Sequence, residues 1–383
     1  MTLDALPNEI LFRIFSFLDA AFVINVLSHV CRAFEAVLSD DIFWKNKLFQ
    51  QWPKQYPVIP VDDSFDWKRA CFDREEHYKI WASWEQNMRP INFESPHIGF
   101  VNTLQLLNNG SFCASGSRDR DIKVWNIRDK INGEALEPYQ RLVHSLPDAH
   151  EGWVWCMCAD ENLLYSGAWD STVKAWDLSH GCYRRDSLKF KTAVLCLCSV
   201  EHLLAIGTYA GSVYRHDRRE PQGGIKRILG TKSSITCMAM DERALIAGCE
   251  GGHLAVVDLR TWKTRENFSE FDGYPSAISY NLDQLWVGTR KGSVYIVDAT
   301  GSQLRSVQCF PLAMRESVVS GIHHSLGSVL VSILESPMYV LEPTLDAEVI
   351  ARGPSMDHVD RFQVHGTTLV TAGRSTIRVW HPQ

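Results

Sequence analysis

The chain contains no uninterrupted apolar run of roughly eighteen residues, so its sequence offers no helix long enough to span a bilayer. Its most hydrophobic N-terminal stretch, LPNEILFRIFSFL (6–18), also lacks the basic lead of an export signal. Asp4 stands ahead of it, Glu9 and Arg13 interrupt it, and a secretory leader is not expected. Cysteine is scarce for a disulfide scaffold. Eleven in 383 residues is an odd and dilute set, which leaves reduced thiols of cytosol or nucleus as the expectation. Excess positive charge is missing as well. With a formal net charge of −6, broad binding of nucleic acid by phosphate neutralisation is not expected. No basic cluster separates nucleus from cytoplasm. What the chain has is length and apolar content, 45% hydrophobic against 22% charged, enough for more than one folding unit.

From residue 97 onward a phrase recurs: small residues, a polar turn, then an alternating run. It reads SGSRDRDIKVWNI (115–127), SGAWDSTVKAWDL (166–178), IGTYAGSVYRHDR (206–218), AGCEGGHLAVVDL (247–259) and VGTRKGSVYIVDA (287–299). Weaker copies are SILESPMYVLEP (332–343) and AGRSTIRVWHP (372–382). The anchors Trp125, Trp176, His216, Val257, Val297, Leu341 and Trp380 are spaced by 51, 40, 41, 40, 44 and 39 residues. A period near forty with short alternating strands predicts a β-propeller, here of seven blades. Each unit is preceded by a further apolar strand such as GWVWCMCA (152–159) or TAVLCLCS (192–199). The residues resemble the WD-repeat family, which implies that the strand missing after Trp380 is lent from the N-terminal side. MRPINFES (88–95) is the expected donor, and closure removes an aggregation-prone edge.

The same resemblance implies a hydrogen-bonded tetrad of His150, Ser166, Asp170 and Trp176, with Ser115, Asp119, Trp125 and a nearby His97 in the first copy. A hydrolase triad is the competing reading. It is set aside because the group recurs with the repeat, ends on an indole and brings no oxyanion site. Later copies carry Ala210, Gly251 and Lys291 at the aspartate position, so those blades are expected to rely on apolar packing. Cys156-x-Cys158 and Cys196-x-Cys198 have a metal-like look. Yet Cys156, Cys196 and Cys237 lie 40 and 41 apart at equivalent repeat positions, with Ala277 next in register, so they read as packing residues and no metal or cofactor is expected.

Residues 1–50 are of another kind: thirty belong to the hydrophobic set. Ile10, Leu11, Ile14, Phe15 and Leu18 fall on one helical stripe, with Phe12 and Phe17 off it as extra exposed apolar surface. Pro7 suits a first helical turn, and Asp19, Ser28 and Asp40 or Asp41 are candidate caps of later helices. The order Leu-Pro, a leucine- and isoleucine-rich helix, V-C-R and a closing tryptophan (6–44) resembles the F-box, with Phe34 where that family often has tryptophan. The resemblance implies that Leu6, Pro7, Ile10, Ile14, Leu18, Leu27, Val30, Cys31 and Trp44 form or support a surface for a Skp1-type adaptor. Residues 51–87 then read as a Pro-rich linker and a helix (65–84) whose aromatic residues pack on the propeller.

The expected architecture is therefore α+β and multidomain: an F-box helical module (1–50), a linker with a helix (51–87) and a seven-bladed propeller (88–383). By alignment of the repeats, Phe100, Asn102, Arg118, Trp153, Trp155, Trp169, Tyr209, Glu250 and Arg290 ring one mouth of the channel, with Thr236 and Tyr274 at strand entrances. Their aromatic content fits a protein-binding hot spot. Only two arginines occupy this ring and Glu250 opposes them, so a phosphate on the ligand is optional. The combined resemblance implies a non-catalytic substrate receptor of an SCF-type cullin–RING ubiquitin ligase, in cytoplasm or nucleus, binding neither nucleic acid nor membrane. The alternative is a WD-repeat scaffold without that role.

Overall fold

The computed structural model describes all residues except 1–5, 60–64, 94–95, 129, 132–133, 138–139, 180, 221–223, 282, 302, 313–316, 354–358 and 383. Seven four-stranded antiparallel sheets follow one another around a channel, their innermost strands being Val101–Leu107, Val154–Asp160, Val194–Val200, Ile235–Met240, Pro275–Asn281, Val319–His324 and Arg361–His365. In the seventh sheet the outermost strand is Met88–Phe93. It pairs antiparallel with Thr376–Pro382, so that Met88 faces Pro382 and Phe93 faces Ile377. Residues 94–95 of the donor segment lie outside the described residues.

Why the propeller closes is visible at the inner strands. In each of the first six blades the register slips by one residue at the same place, a β-bulge at Asn102, Trp155, Leu195, Thr236, Ser276 and Ser320. Side chains near these bulges then bond the backbone of the adjacent blade. Asn102 Nδ2 donates to Val154 O at 3.0 Å, Thr236 Oγ1 to Pro275 O at 2.5 Å and Ser276 Oγ to Val319 O at 2.7 Å. Arg361 spans the last two junctions, donating to Asn102 O at 2.9 Å and to Ser320 O at 3.3 Å. The thiols of Cys156 and Cys196 complete the ring as weak donors to Val194 O and Ile235 O, at 3.9 and 3.7 Å.

The cysteine register has a steric reason too. A Cβ on Gly167 would sit 2.8 Å from Cys156 Sγ, and one on Gly248 2.6 Å from Cys237 Sγ. Each thiol fills the space its paired glycine leaves open. Burial pushes the thiols of Cys158 and Cys237 up to about 12, which keeps them protonated packing groups.

The N-terminal part is helical: α1 (Asn8–Ser16), α2 (Ala20–Asn25), α3 (Arg32–Leu38), α4 (Asp41–Gln51), α5 (Trp67–Trp81) and α6 (Trp84–Asn87). Pro7 stands just before α1, its carbonyl accepting from Ile10 N and Leu11 N. Asp40 caps α4 by accepting from Ile42 N at 2.9 Å. Asp19 precedes α2 but its side chain makes no capping bond. Ser28 is not a cap. It lies in a short 3₁₀ turn (Leu27–His29) and bonds back to Ile24 O, because Cys31, not Ser28, is the residue before α3.

Two cores meet along α5. Leu11, Phe15, Val23, Phe34, Phe43 and Trp44 pack with Trp67 and Cys71 in the helical head. Ile80, Trp81 and Trp84 pack with Leu330, Val340 and Trp380 of the last blades. Polar contacts from the middle of the same helix reach both the head and the propeller. Glu75 accepts from Ala20 N at 2.6 Å and pairs with Lys47 Nζ at 2.7 Å, while Lys47 also donates to Leu18 O at 2.7 Å. The next side chain along, Arg74, pairs with Glu342 of the sixth blade at 2.9 Å. Tyr56 OH donates to Leu326 O at 2.8 Å and Gln284 Nε2 to Val58 O at 3.1 Å, so the linker also runs along the propeller. Head and propeller are thus joined by packing and buried polar bonds, the arrangement of a stiff connection.

Candidate functional site: two apolar faces on a rigid frame

The His-Ser-Asp set is a strut between strands. His150 Nδ1 lies 3.0 Å from Asp170 Oδ2, its Nε2 lies 2.7 Å from Ser166 Oγ, and Trp176 Nε1 donates to that hydroxyl at 2.8 Å. The first blade repeats this with His97, Asp119, Ser115 and Trp125 at 2.9, 2.7 and 2.8 Å. A neutral imidazole carrying its proton on Nδ1 satisfies every atom: Nδ1–H donates to the carboxylate, and Nε2 accepts from the serine O–H. Burial pushes the Asp170 carboxyl up. Hydrogen bonds from His150, Thr172 and the Glu151 backbone outweigh it and hold the carboxyl well below the usual range. Ser166 is wholly buried beneath the indole, so its hydroxyl has no route to a substrate.

Blades without this set are not purely apolar, as their sequences led us to expect. In the fifth, Asp272 accepts from Thr289 Oγ1 at 3.0 Å and Ser293 Oγ at 2.6 Å, and its backbone N–H bonds Tyr295 OH at 2.9 Å. The carboxylate comes from the strand-entry loop there, a position the repeat alignment does not single out.

On the helical head the predicted stripe divides into two faces. Leu11 and Phe15 turn inward, while Ile10, Ile14, Phe17, Phe22, Val26 and Val30 are exposed. Phe17 is the most open of these at 74%. Phe12 corrects the expectation of a free ring: it packs on the core with its centroid 5.4 Å from that of Phe43. Leu6, Leu18, Leu27 and Cys31 are half-buried along the edge of the same core, and Pro7 is exposed. Trp44 is 1% exposed and donates to Leu38 O at 2.8 Å. It supports the surface from behind and presents nothing to a partner. Phe22 and Val26, exposed on α2 and just after it, extend this face beyond the residues that the F-box resemblance implies.

At the channel mouth the structure joins most of the predicted ring into one chain of contacts. The Arg118 guanidinium lies over Phe100 at 4.8 Å and over Trp153 at 5.0 Å. Trp169 then touches Trp153, Trp155 and Tyr209, with centroids 6.0, 5.7 and 5.9 Å apart. Phe100, Trp153, Trp169 and Tyr209 are all exposed, and Trp155 is half-buried beneath them. Asn102 is a correction. It is buried because both ends of its amide are used, one on Val154 O and the other accepting from Arg118 Nε at 3.2 Å. Arg290 and Tyr274 form a separate pair, Nη1 to OH at 2.9 Å, and Glu250 accepts from Ser234 Oγ. Thr236 is turned into the closing ring described above.

Sequence reasoning also missed Ile98, 98% exposed two residues before Phe100. It missed Arg361 as well, which reaches Asn102 from the seventh blade and so lies one residue away from Arg118 through a shared partner. An exposed isoleucine beside a tetrad histidine was a readable signal. Arg361 gave none, since it lies in the inner strand Arg361–His365, ahead of the quoted repeat copy.

Comparison with known proteins agrees with this geometry. The F-box-like family profile matches residues 3–50, and the WD domain, G-beta repeat profile matches residues 89–126 and 140–177. F-box/WD repeat-containing protein 9 of Homo sapiens is 31% identical over 385 residues, covering 99% of this chain and 82% of that protein. F-box/WD repeat-containing protein mec-15 of Caenorhabditis elegans is 29% identical, covering 78% of this chain and 75% of its own length. A probable E3 ubiquitin ligase complex SCF subunit, sconB of Aspergillus fumigatus, is 22% identical over 47% of this chain and 29% of its own. Among solved structures, the RRP9 WD40 repeats superpose with a TM-score of 0.67 at 15% identity, covering 78% of this chain and 98% of that one. That last likeness bears on fold alone. Helical head, seven blades and a match across 99% of the chain together make it a member of the F-box/WD repeat protein family.

Proposed function

We propose that this chain is the substrate-receptor subunit of an SCF-type ubiquitin ligase, its head gripping a Skp1-type adaptor and its propeller mouth gripping a target protein. The observation that carries the reading is the exposed apolar face of Ile10, Ile14, Phe17 and Val30 on a head whose inner face is already spent on its own core and α5. Apolar surface left over after the core is complete is partner surface. Likeness to a relative named as a probable SCF subunit supports the identity of that partner.

In this reading the chain performs no bond chemistry. It raises the effective concentration of a target lysine near a charged conjugating enzyme, and stiffness across α5 keeps that distance useful. The mouth takes a protein segment through Phe100, Trp153, Trp169 and Tyr209, rigid aromatic anchors typical of hot spots. Arg118 adds one guanidinium, so an acidic or phosphorylated ligand is accommodated without being required. Both ends belong to the cytoplasm or nucleus, and among the described residues no helix is long and apolar enough to cross a membrane.

The test is calorimetric titration of the full chain with a purified Skp1-type adaptor. Wild type binds one to one, and the Ile14→Asp, Val30→Asp double variant loses binding while keeping the wild-type melting profile. A folded wild-type chain that ignores the adaptor defeats the ligase reading and leaves a WD-repeat scaffold.

A further inference from the structure

The indole position of the repeat is occupied differently from blade to blade. In blades one, two and seven, Trp125, Trp176 and Trp380 fill it, each bonded to a buried serine or threonine hydroxyl, Ser115, Ser166 or Thr371. Each indole packs toward the preceding blade. Trp176 lies among Leu107, Ala114 and Val154, and Trp125 among Val370 and Ile377. In the third blade the same position, paired with Leu204 as Trp176 is with Leu164, carries His216. The serine partner becomes Ile206, four residues before Ala210 as Ser166 is before Asp170. Where the fourth, fifth and sixth blades place Val257, Val297 and Leu341, those side chains are fully buried in closed cores. Only the third blade has a half-exposed residue here.

The consequence is a cavity of about 590 Å³ between blades two and three, within the size range of ligand sites. Its floor is apolar, formed by Leu163, Val173, Leu188 and Ile225, and His216 opens onto it. His216 Nδ1 is itself sealed from solvent and has no hydrogen-bond partner, so the imidazole offers the groove its ring rather than that nitrogen. Arg218 on the wall is committed to Asp160, and Arg219 to Asp217 at 3.0 Å. Arg185, on the exposed outer strand, forms no ion pair among the described residues; the acids of the lining are Asp186 beside it and Glu220, which pairs with Lys226 at 3.1 Å.

We infer that this groove is a second binding site on the flank of the propeller, taking an aromatic side chain of indole size from a peptide segment that carries a carboxylate beside it. The ring takes the space that an indole takes in three other blades. Its face packs on the His216 imidazole, and the carboxylate pairs with Arg185. The site is independent of the mouth and of the head, so it stands whether or not the chain serves a ligase.

The experiment uses the full chain with two probes, N-acetyl-L-tryptophan and N-acetyl-L-tryptophan amide, followed by saturation-transfer NMR. Wild type binds both saturably below about 10 mM, the weak affinity suited to so small a ligand, and prefers the carboxylate. His216→Trp fills the groove from within, raises the melting temperature and weakens both probes by about tenfold or more. Arg185→Ala, an exposed change that leaves folding intact, abolishes the preference for the carboxylate and leaves amide binding unchanged. Absence of saturable binding to wild type, equal binding to His216→Trp, or a carboxylate preference that survives Arg185→Ala overturns the inference. Should His216→Trp not fold, the Arg185→Ala comparison decides alone.

Discussion

Replacing Glu75 by alanine is expected to loosen the helical head while leaving the propeller intact. Glu75 is 5% exposed and pairs with Lys47, itself 3% exposed, at 2.7 Å. Removing one member of a buried pair costs about 3–5 kcal/mol, because the survivor remains charged and unpaired. Lys47 keeps its carbonyl acceptors, Leu18 O at 2.7 Å and Ser16 O at 3.3 Å, which argues for the lower end. Against that, Ala20 N loses its only side-chain acceptor, and an orphaned buried N–H costs about 1–3 kcal/mol. A net loss of about 3–4 kcal/mol follows for opening of the head. At about 1.4 kcal/mol per decade, amides of α1 to α4 exchange hydrogen about a hundredfold faster or more. Amides of the inner propeller strands keep their protection. The Lys47→Met, Glu75→Leu double variant recovers the part due to the unpaired ion, since well-packed apolar pairs replace buried ions at little cost, but not the part due to the Ala20 N–H. Exchange in α1 to α4 that rises less than about threefold in Glu75→Ala would refute the claim that this pair holds the head.

Three further outcomes follow from the same frame. Ser166→Ala leaves Trp176 Nε1 and His150 Nε2 without their shared partner and lowers stability by about 2–3 kcal/mol, read from the urea midpoint. Burial pulls His77 and His323 down to about 4 and His324 to about 3, so the folded state resists protons that the unfolded chain accepts near pH ~6.5. Their stabilisation is present above that pH and is lost as pH falls toward 4. Urea midpoints therefore decline from about pH 6.5 to 5, and His324→Gln makes the decline shallower. Combined alanine substitution of Trp153, Trp169 and Tyr209 abolishes target binding without changing adaptor binding, and target binding that survives it removes the mouth from the account.

What could be read from the sequence divides along physical lines. Repetition carried the propeller: a forty-residue period places Trp125 and Trp176, or Cys156 and Cys196, at equivalent points whatever their neighbours are. The strut of His150, Ser166, Asp170 and Trp176 came from the WD-repeat resemblance, and a 51-residue offset then placed Ser115, Asp119 and Trp125, with His97 nearby. Single helices were read less well. Ile10, Leu11, Ile14 and Phe15 share an arc of about 140°, and Phe12 and Phe17 widen it past half of α1, so spacing alone cannot say which part turns inward. One side of the helix packs on the head's own core and the other stays exposed, the side proposed for a partner. Mouth residues failed where a polar side chain had a second task. Asn102 sits at an entrance position, yet the bulge there turns its amide onto Val154 O and Arg118. Asp272 and Arg361 act through contacts between blades that no local pattern encodes.

The central claim is that the two ends do separate work. The direct measurement is recovery of a cullin with the full-length chain from cells, compared among wild type, the Ile14→Asp, Val30→Asp head variant and the Trp153, Trp169, Tyr209 mouth variant. The account predicts cullin with wild type and with the mouth variant, and none with the head variant. Cullin recovered equally with the head variant, or absent from wild type, contradicts it.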